Sequence, residues 1–101
     1  MSKYRNIHTN GYASKREANR AAELQALAKA GIITDLREQV RYVLLKPCPP
    51  QYPKSLSYIA DFVYVQNGVT HVEDSKGFRT AVYKIKARLM KQLLGLEIEE
   101  V

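Results

Sequence analysis

Two stretches of the chain carry apolar residues at the spacing of an α-helix. In residues 15–30 the apolar positions recur every three or four residues, which places them on one helix face. Ser14 precedes this stretch and Gly31 follows it, as a helix N-cap and a helix stop do. A second helix is predicted over residues 80–94, before Gly95. Its predicted apolar stripe consists of Val82, Ile85, Leu89 and Leu93.

Other stretches are rich in β-branched and aromatic residues, which is typical of strands. Three such stretches span residues 32–45, 58–66 and 69–76. Asn67-Gly68 between the last two is a strong hairpin signal, and all four prolines lie in a connector over residues 47–53. A last short strand is predicted over 96–101. The order α-β-β-β-α-β predicts an α/β fold with a mixed sheet flanked by two helices.

Length and charge narrow the function classes. The 101 residues are enough for a single domain over 1–101, with residues 1–13 as a polar, basic N-terminal arm. A formal net charge of +6 favours a polyanionic partner such as nucleic acid, although many small basic domains bind none. The lone Cys48 excludes an intrachain disulfide. No apolar run approaches the roughly 20 residues of a membrane helix, so we expect a cytoplasmic protein without a membrane partner.

The hairpin carries unexpected charges. Asp61 interrupts a row of apolar residues, and strict alternation places Asp74 and Lys76 together on one face of the return strand. Two carboxylates near one another repel unless a cation lies between them. A local Asp–Lys ion pair is the alternative explanation for Asp74 and Lys76.

The first helix adds a third carboxylate. Glu17 lies on its apolar stripe and is predicted to face the sheet, whereas Glu23 is predicted to face solvent. A capping box with Ser14 is the alternative role for Glu17. Carboxylate oxygens suit Mg²⁺ or Mn²⁺, and a lysine beside such an ion can stabilise developing negative charge. The set of Glu17, Asp61, Asp74 and Lys76 is suited to phosphodiester hydrolysis.

At these residues the sequence resembles the PD-(D/E)xK nuclease superfamily, which has the restriction-endonuclease-like fold. Asp61 corresponds to the first motif acid, residues 74–76 (Asp-Ser-Lys) to (D/E)-x-K, and residues 14–17 to an S-x-x-E on the first helix. Ala60 stands where the superfamily name has proline. The chain also resembles small phage and prophage proteins that share K-Y-x-N, S-K-x-E-A-x-R, Y-x-A-D-F-x-Y and V-E-D-x-K-G.

The resemblance implies a metal-dependent DNA endonuclease that uses Mg²⁺ or Mn²⁺. Glu17, Asp61 and Asp74 are then the metal ligands, and Lys76 completes the catalytic set; Glu73, next to Asp74, is expected on the opposite face. The phage setting implies a bacterial host cell and a branched-DNA or Holliday-junction resolvase-like role, usually as a dimer. The alternative is a catalytically inactive nucleic-acid-binding module of the same fold.

Basic residues predict where DNA binds. The DNA-binding candidates are Arg5, Lys15, Arg16, Arg20, Lys84 and Arg88. For Lys84 and Arg88 on the second helix, the alternative is a charged face that contacts only solvent. Gln39 could position water, and Lys86, which lies near the apolar stripe, could either reach the site or extend past the edge of the stripe to solvent. A homodimer is predicted to bury either the proline connector or an aromatic face of Tyr58, Phe62 and Tyr64.

Overall fold

The structure is a computed structural model that describes residues 11–75 and 78–101. Helix α1 (Lys15–Lys29) begins as predicted. The Ser14 hydroxyl oxygen accepts a hydrogen bond from the Glu17 backbone N–H at 3.1 Å, which satisfies one of the donors that a helix start leaves unpaired. The chain then turns away at Gly31, whose φ of +79° favours glycine.

Four strands form one mixed sheet in the order β1-β2-β3-β4. They are β1 (Thr34–Leu45), β2 (Leu56–Gln66), β3 (Val69–Asp74) and β4 (Ile98–Glu100). The first three are antiparallel, and β4 pairs with β3 in parallel. Asn67 and Gly68 both have positive φ, as a two-residue hairpin turn of the I′ type requires. The predicted α/β class, the element order and the mixed sheet with two helices are confirmed.

Helix α2 (Ala81–Leu89) continues directly into a π-helical turn (Met90–Leu94) that ends at Gly95. The Thr80 hydroxyl oxygen caps its start by accepting the Tyr83 backbone N–H at 3.0 Å. Among the described residues, no helix is long and apolar enough to span a bilayer.

The predicted apolar stripe of α2 is largely wrong. Val82 and Ile85 are 59% and 58% exposed, and Leu93 is also exposed, whereas Tyr83 and Met90 are buried. The buried residues Tyr83 and Met90 lie on one face of the helix. This face packs on the sheet, where the centroids of the Tyr83 and Tyr58 rings are 6.4 Å apart.

The sheet separates two apolar clusters, one beneath each helix. The α2 cluster contains Leu44, Tyr58, Ala60, Val63, Val72, Tyr83 and Met90. The α1 cluster contains Ala21, Leu24, Ile33, Phe62 and Tyr64. The aromatic face predicted for a dimer is therefore a wrong prediction. Tyr58 is covered by α2, while Phe62 and Tyr64 are covered by α1, so the subunit itself buries all of these rings.

Strand β2 changes its alternation at Asp61. Ala60 shares a cluster with Val63, although strict alternation would place these two side chains on opposite faces. In β1, Val40 pairs with Ala60 and Glu38 with Phe62, which leaves Gln39 opposite Asp61. Gln39 has a φ of +54°, in the left-handed region that non-glycine residues seldom adopt. The candidate acid thus lies at an irregular point of the sheet.

Candidate functional site

Glu17, Gln39 and Asp61 meet in one depression of about 350 Å³ between α1 and the sheet. The Gln39 side-chain N–H₂ donates to Glu17 Oε2 at 3.2 Å and to Asp61 Oδ1 at 3.4 Å. Two of the predicted acids therefore approach the same nitrogen atom. Glu17 is only 7% exposed, which confirms that it faces the sheet. Gln39 is the residue that joins the two acids.

The second oxygen of Asp61 contacts the end of β3. Asp61 Oδ2 accepts the backbone N–H of Ser75 at 2.8 Å. The Ser75 hydroxyl is buried and has no hydrogen-bond partner in the structure. Buried polar groups are nearly always paired, so Ser75, whose backbone N–H contacts Asp61, is an exception to that rule within the structure.

Asp74 lies beside the same region and is 2% exposed. The Tyr58 hydroxyl donates a hydrogen bond to Asp74 Oδ2. Burial, this hydrogen bond and the negative charges of Asp74 and Asp61 all raise the pKa of the Tyr58 hydroxyl well above its usual value. Both acids act on one phenol, which places them in the same electrostatic environment. The sequence did not predict this role for Tyr58, because alternation placed it on an aromatic face available to a dimer, away from Asp61.

Glu73 belongs to a separate network beneath α1. It is 1% exposed, and Arg20 donates to its two oxygens at 2.7 and 2.6 Å. The Tyr64 hydroxyl adds a third hydrogen bond at 2.5 Å. Burial raises the pKa of the Glu73 carboxyl, but the hydrogen bonds from Arg20 and Tyr64 outweigh burial and lower it overall. Glu73 faces α1 and Asp74 contacts Tyr58 of the α2 cluster, as the alternation within β3 predicted.

The donor set fits a hard divalent cation in part. Glu17 and Asp61 supply carboxylate oxygens, the ligand type that Mg²⁺ and Mn²⁺ prefer. The Gln39 N–H₂ lies between the two carboxylates, at a position where their negative charges favour a cation. Over residues 11–75 and 78–101, however, no three His, Cys, Asp or Glu residues are grouped as a metal site. Glu17 and Asp61 would therefore hold the ion, and Asp74 would join them only by turning from Tyr58.

The predicted DNA-binding residues fall into three groups. Lys15 and Arg16 are exposed on the first turn of α1, and Lys84 and Arg88 are exposed on α2. Arg20, by contrast, is engaged with Glu73 and also pairs with Glu23 at 3.1 Å. Glu23 is exposed, as predicted. Arg5 and Lys76 lie outside the described residues.

Comparison with known proteins identifies a protein family but does not indicate an activity. A family model described as "Protein of unknown function (DUF1064)" matches residues 1–96. No curated protein matches the sequence, and no solved structure matches it. Function must therefore be argued from the site itself.

Proposed function

We propose that this chain, which belongs to the DUF1064 family, is a metal-dependent DNA endonuclease with a restriction-endonuclease-like core. The observation that carries the proposal is the meeting of Glu17 and Asp61 at the Gln39 amide. Glu17 and Asp61 are 44 positions apart in the sequence and come from different elements. Two nearby carboxylates repel one another unless a positive charge lies between them, which supports a bound cation at this point.

Each site residue has its own role in the proposed phosphodiester hydrolysis. Glu17 and Asp61 would hold Mg²⁺ or Mn²⁺, and Asp74 would complete the set. The bound ion supplies charge neutralisation on the scissile phosphate and lowers the pKa of a water molecule. Gln39 orients the carboxylates through its two hydrogen bonds. Lys76, two residues beyond Asp74 in the sequence, is assigned to stabilising the negative charge that develops in the transition state.

DNA is the proposed substrate because exposed cations lie on both helices: Lys15 and Arg16 directly precede Glu17 on α1, and Lys84 and Arg88 lie on α2. Lys84 and Arg88 on α2 make no ion pair within the described part of the chain. Branched DNA and a homodimer, which the sequence resemblance implies, are part of the proposal. Paired cuts at a junction would need two such sites.

A cleavage panel tests the proposal. Linear, flapped and four-way DNA are incubated with Mg²⁺, with Mn²⁺ and with EDTA. We expect cleavage with either metal and none with EDTA. Glu17→Gln, Asp61→Asn, Asp74→Asn and Lys76→Ala should each reduce the rate by at least 100-fold, on the scale of lost electrostatic catalysis. Glu23→Gln, an exposed acid on the same helix, is the matched control and should cleave normally.

One observation favours the catalytically inactive binding module. The Tyr58 hydroxyl already occupies Asp74, and the described acids do not form a three-ligand group. That module predicts salt-sensitive DNA binding without cleavage under any metal. It also predicts that Asp61→Asn binds DNA at least as tightly as the wild type, because the change removes a charge that repels phosphate.

A further inference from the structure

A second depression, of about 550 Å³, lies between β2 and α2 on the other side of Tyr58. It exists because β3 pairs only with residues 62–66 of β2, so the first half of β2 has no neighbouring strand on that side in the described sheet. The start of α2 lies across this gap. The volume is within the range of roughly 300–1,000 Å³ that is usual for ligand clefts. We call this depression the β2–α2 cleft.

Arg41 on β1 lines one side of the cleft and is held by neutral groups. Its Nε donates to Ser57 Oγ at 3.2 Å and a terminal nitrogen donates to Ser55 Oγ at 3.1 Å. Arginine pairs strongly with carboxylates and with phosphates, often through two parallel hydrogen bonds. Here two hydroxyls orient the guanidinium while its full positive charge stays available to an outside anion.

Lys86 lines the opposite side of the cleft, on α2. It is half-buried and has no ion-pair partner among the residues that the structure describes. Among the described residues, no aspartate or glutamate lines the cleft, whereas five hydroxyl side chains do, those of Ser55, Ser57, Tyr58, Thr80 and Tyr83. Two cations facing one another with hydroxyl donors and no acid form a surface that is complementary to phosphate.

The geometry points to the β2–α2 cleft as a binding site for the phosphodiester backbone of a nucleic-acid strand, with Arg41 and Lys86 as its phosphate contacts. This inference rests on the proposed function for its substrate class. Tyr58 lines the cleft and its hydroxyl contacts Asp74, so the Tyr58 side chain would lie between a strand in the cleft and Asp74. Exposed Ile59 and Val82 beside the cations offer apolar contacts to sugars.

Binding is measured by fluorescence anisotropy in EDTA, so that cleavage does not contribute, with a single-stranded and a duplex DNA probe over a range of salt. The double variant Arg41→Ala/Lys86→Ala should lose at least 10-fold in affinity. Its log–log salt slope should fall by about 1.4 for single strands or 1.8 for duplex, since each phosphate contact contributes about 0.7 or 0.9. Lys86→Arg, which keeps the charge, should retain most of the affinity.

Arg37→Ala is the matched control. Arg37 is exposed on the same strand as Arg41 and lies outside the cleft, so it reports the loss of one charge alone and should change affinity less than 2-fold. Thermal melting checks that all variants are folded. If the double variant binds no more weakly than Arg37→Ala, the cleft is not a phosphate site, even when the wild type cleaves DNA normally. If it changes the sedimentation state and leaves DNA affinity intact, the cleft is a protein interface and the inference is wrong.

The outcomes for the cleft and for the nuclease are separate. Loss of affinity in the double variant supports the cleft even where no metal produces cleavage, a result that would reject the nuclease. Conversely, full activity with unchanged affinity in the double variant rejects the cleft and leaves the nuclease standing.

Discussion

Gln39 combines an uncommon backbone conformation with contacts to two acids. A non-glycine residue at positive φ costs on the order of 1–3 kcal/mol, and such residues persist where surrounding contacts hold them, often at functional sites. Here the holding contacts are Glu17 and Asp61. The sequence placed Gln39 on a strand and suggested a role with water, but its φ depends on contacts from a distant helix. No local pattern could have predicted it.

Gln39→Glu tests whether the two acids share one site. A third carboxylate there should lower the melting temperature at pH 7 by about 4–8 °C, the shift that 1 kcal/mol produces in a domain of this size. Mg²⁺ should restore the loss, because an ion that binds only the folded state stabilises it. Calorimetry with and without Mg²⁺ measures both effects. Gln66→Glu, at the far end of β2, is the control, and an equal loss there would contradict a shared site.

Ser75 gives an independent test of the same region. Its buried hydroxyl has no partner, and an unsatisfied buried group costs about 1–3 kcal/mol. Ser75→Ala should therefore leave the free energy of unfolding unchanged or raise it in EDTA. The stabilisation by Mg²⁺ should become smaller if a ligand of the metal site uses this hydroxyl. Urea titrations in EDTA and in Mg²⁺ compare the two, and a clear destabilisation in EDTA would mean that the hydroxyl is already satisfied.

The Arg20–Glu73 pair predicts sensitivity to acid. The pKa of Glu73 is lowered in the folded state, so its contribution is present above the unfolded glutamate pKa of about 4.3 and is lost as the pH falls through the lower folded value. Glu73→Gln should be less stable than the wild type at pH 7, and the difference should shrink below about pH 4. Urea unfolding at several pH values measures this, with exposed Glu23→Gln as control. A difference that is constant with pH would mean that the carboxylate charge is not what matters.

At the scale of elements, the sequence predicted the helices and strands closely and the buried face of α1 correctly, but it failed on the buried face of α2 and on the alternation of β2. The capping of α1 and the Asn-Gly turn are local signals, and both are confirmed. For α2 the sequence contains two apolar stripes at helical spacing. The sequence favours the stripe with more aliphatic residues, which is the wrong one. The buried stripe contains Tyr83, whose hydroxyl donates a hydrogen bond to Glu100 Oε2 at 3.0 Å. Which of the two stripes is buried depends on how α2 packs on the sheet, and the sequence of the helix alone does not contain that information.

Two substitutions in the helix that follows Thr80 distinguish these stripes. Met90→Ala should reduce the free energy of unfolding by about 2–5 kcal/mol, because Met90 is fully buried. Ile85→Ala should change it by about 0.5 kcal/mol or less, because that side chain is more than half exposed. Chemical denaturation measures both variants. Equal losses would return Ile85 to the core and reject the observed orientation of α2.

At the scale of the molecule, the acids of the C-terminus have local partners. Glu97 pairs with Lys91 and Glu100 with Arg79, and Glu99 Oε2 lies 2.7 Å from His71 Nδ1. The exposed cations Lys84 and Arg88 on α2 are not among these partners. A net charge of +6 favours association with a polyanion.

Assembly is the remaining question at this scale, because one chain carries one copy of the proposed site. Paired cuts at a junction need two sites in fixed relation, which a two-fold dimer supplies most simply. The aromatic rings of β2 cannot form the interface, since the subunit buries them. Of the two predicted dimer interfaces, this leaves the proline connector over residues 47–53. Leu45 and Tyr52 are exposed there beside a largely apolar depression of about 430 Å³.

We expect the wild type to sediment as a dimer at micromolar concentration and the double variant Leu45→Ser/Tyr52→Ser to sediment as a monomer. It should still nick DNA, because each subunit keeps its own acids, but it should no longer make paired cuts at a four-way junction. Val69→Ser removes an exposed apolar side chain at the hairpin, far along the sheet from the connector, and should leave the dimer intact. A wild-type protein that sediments as a monomer with and without the junction, and still makes paired cuts, would show that a single subunit rebinds and cuts twice.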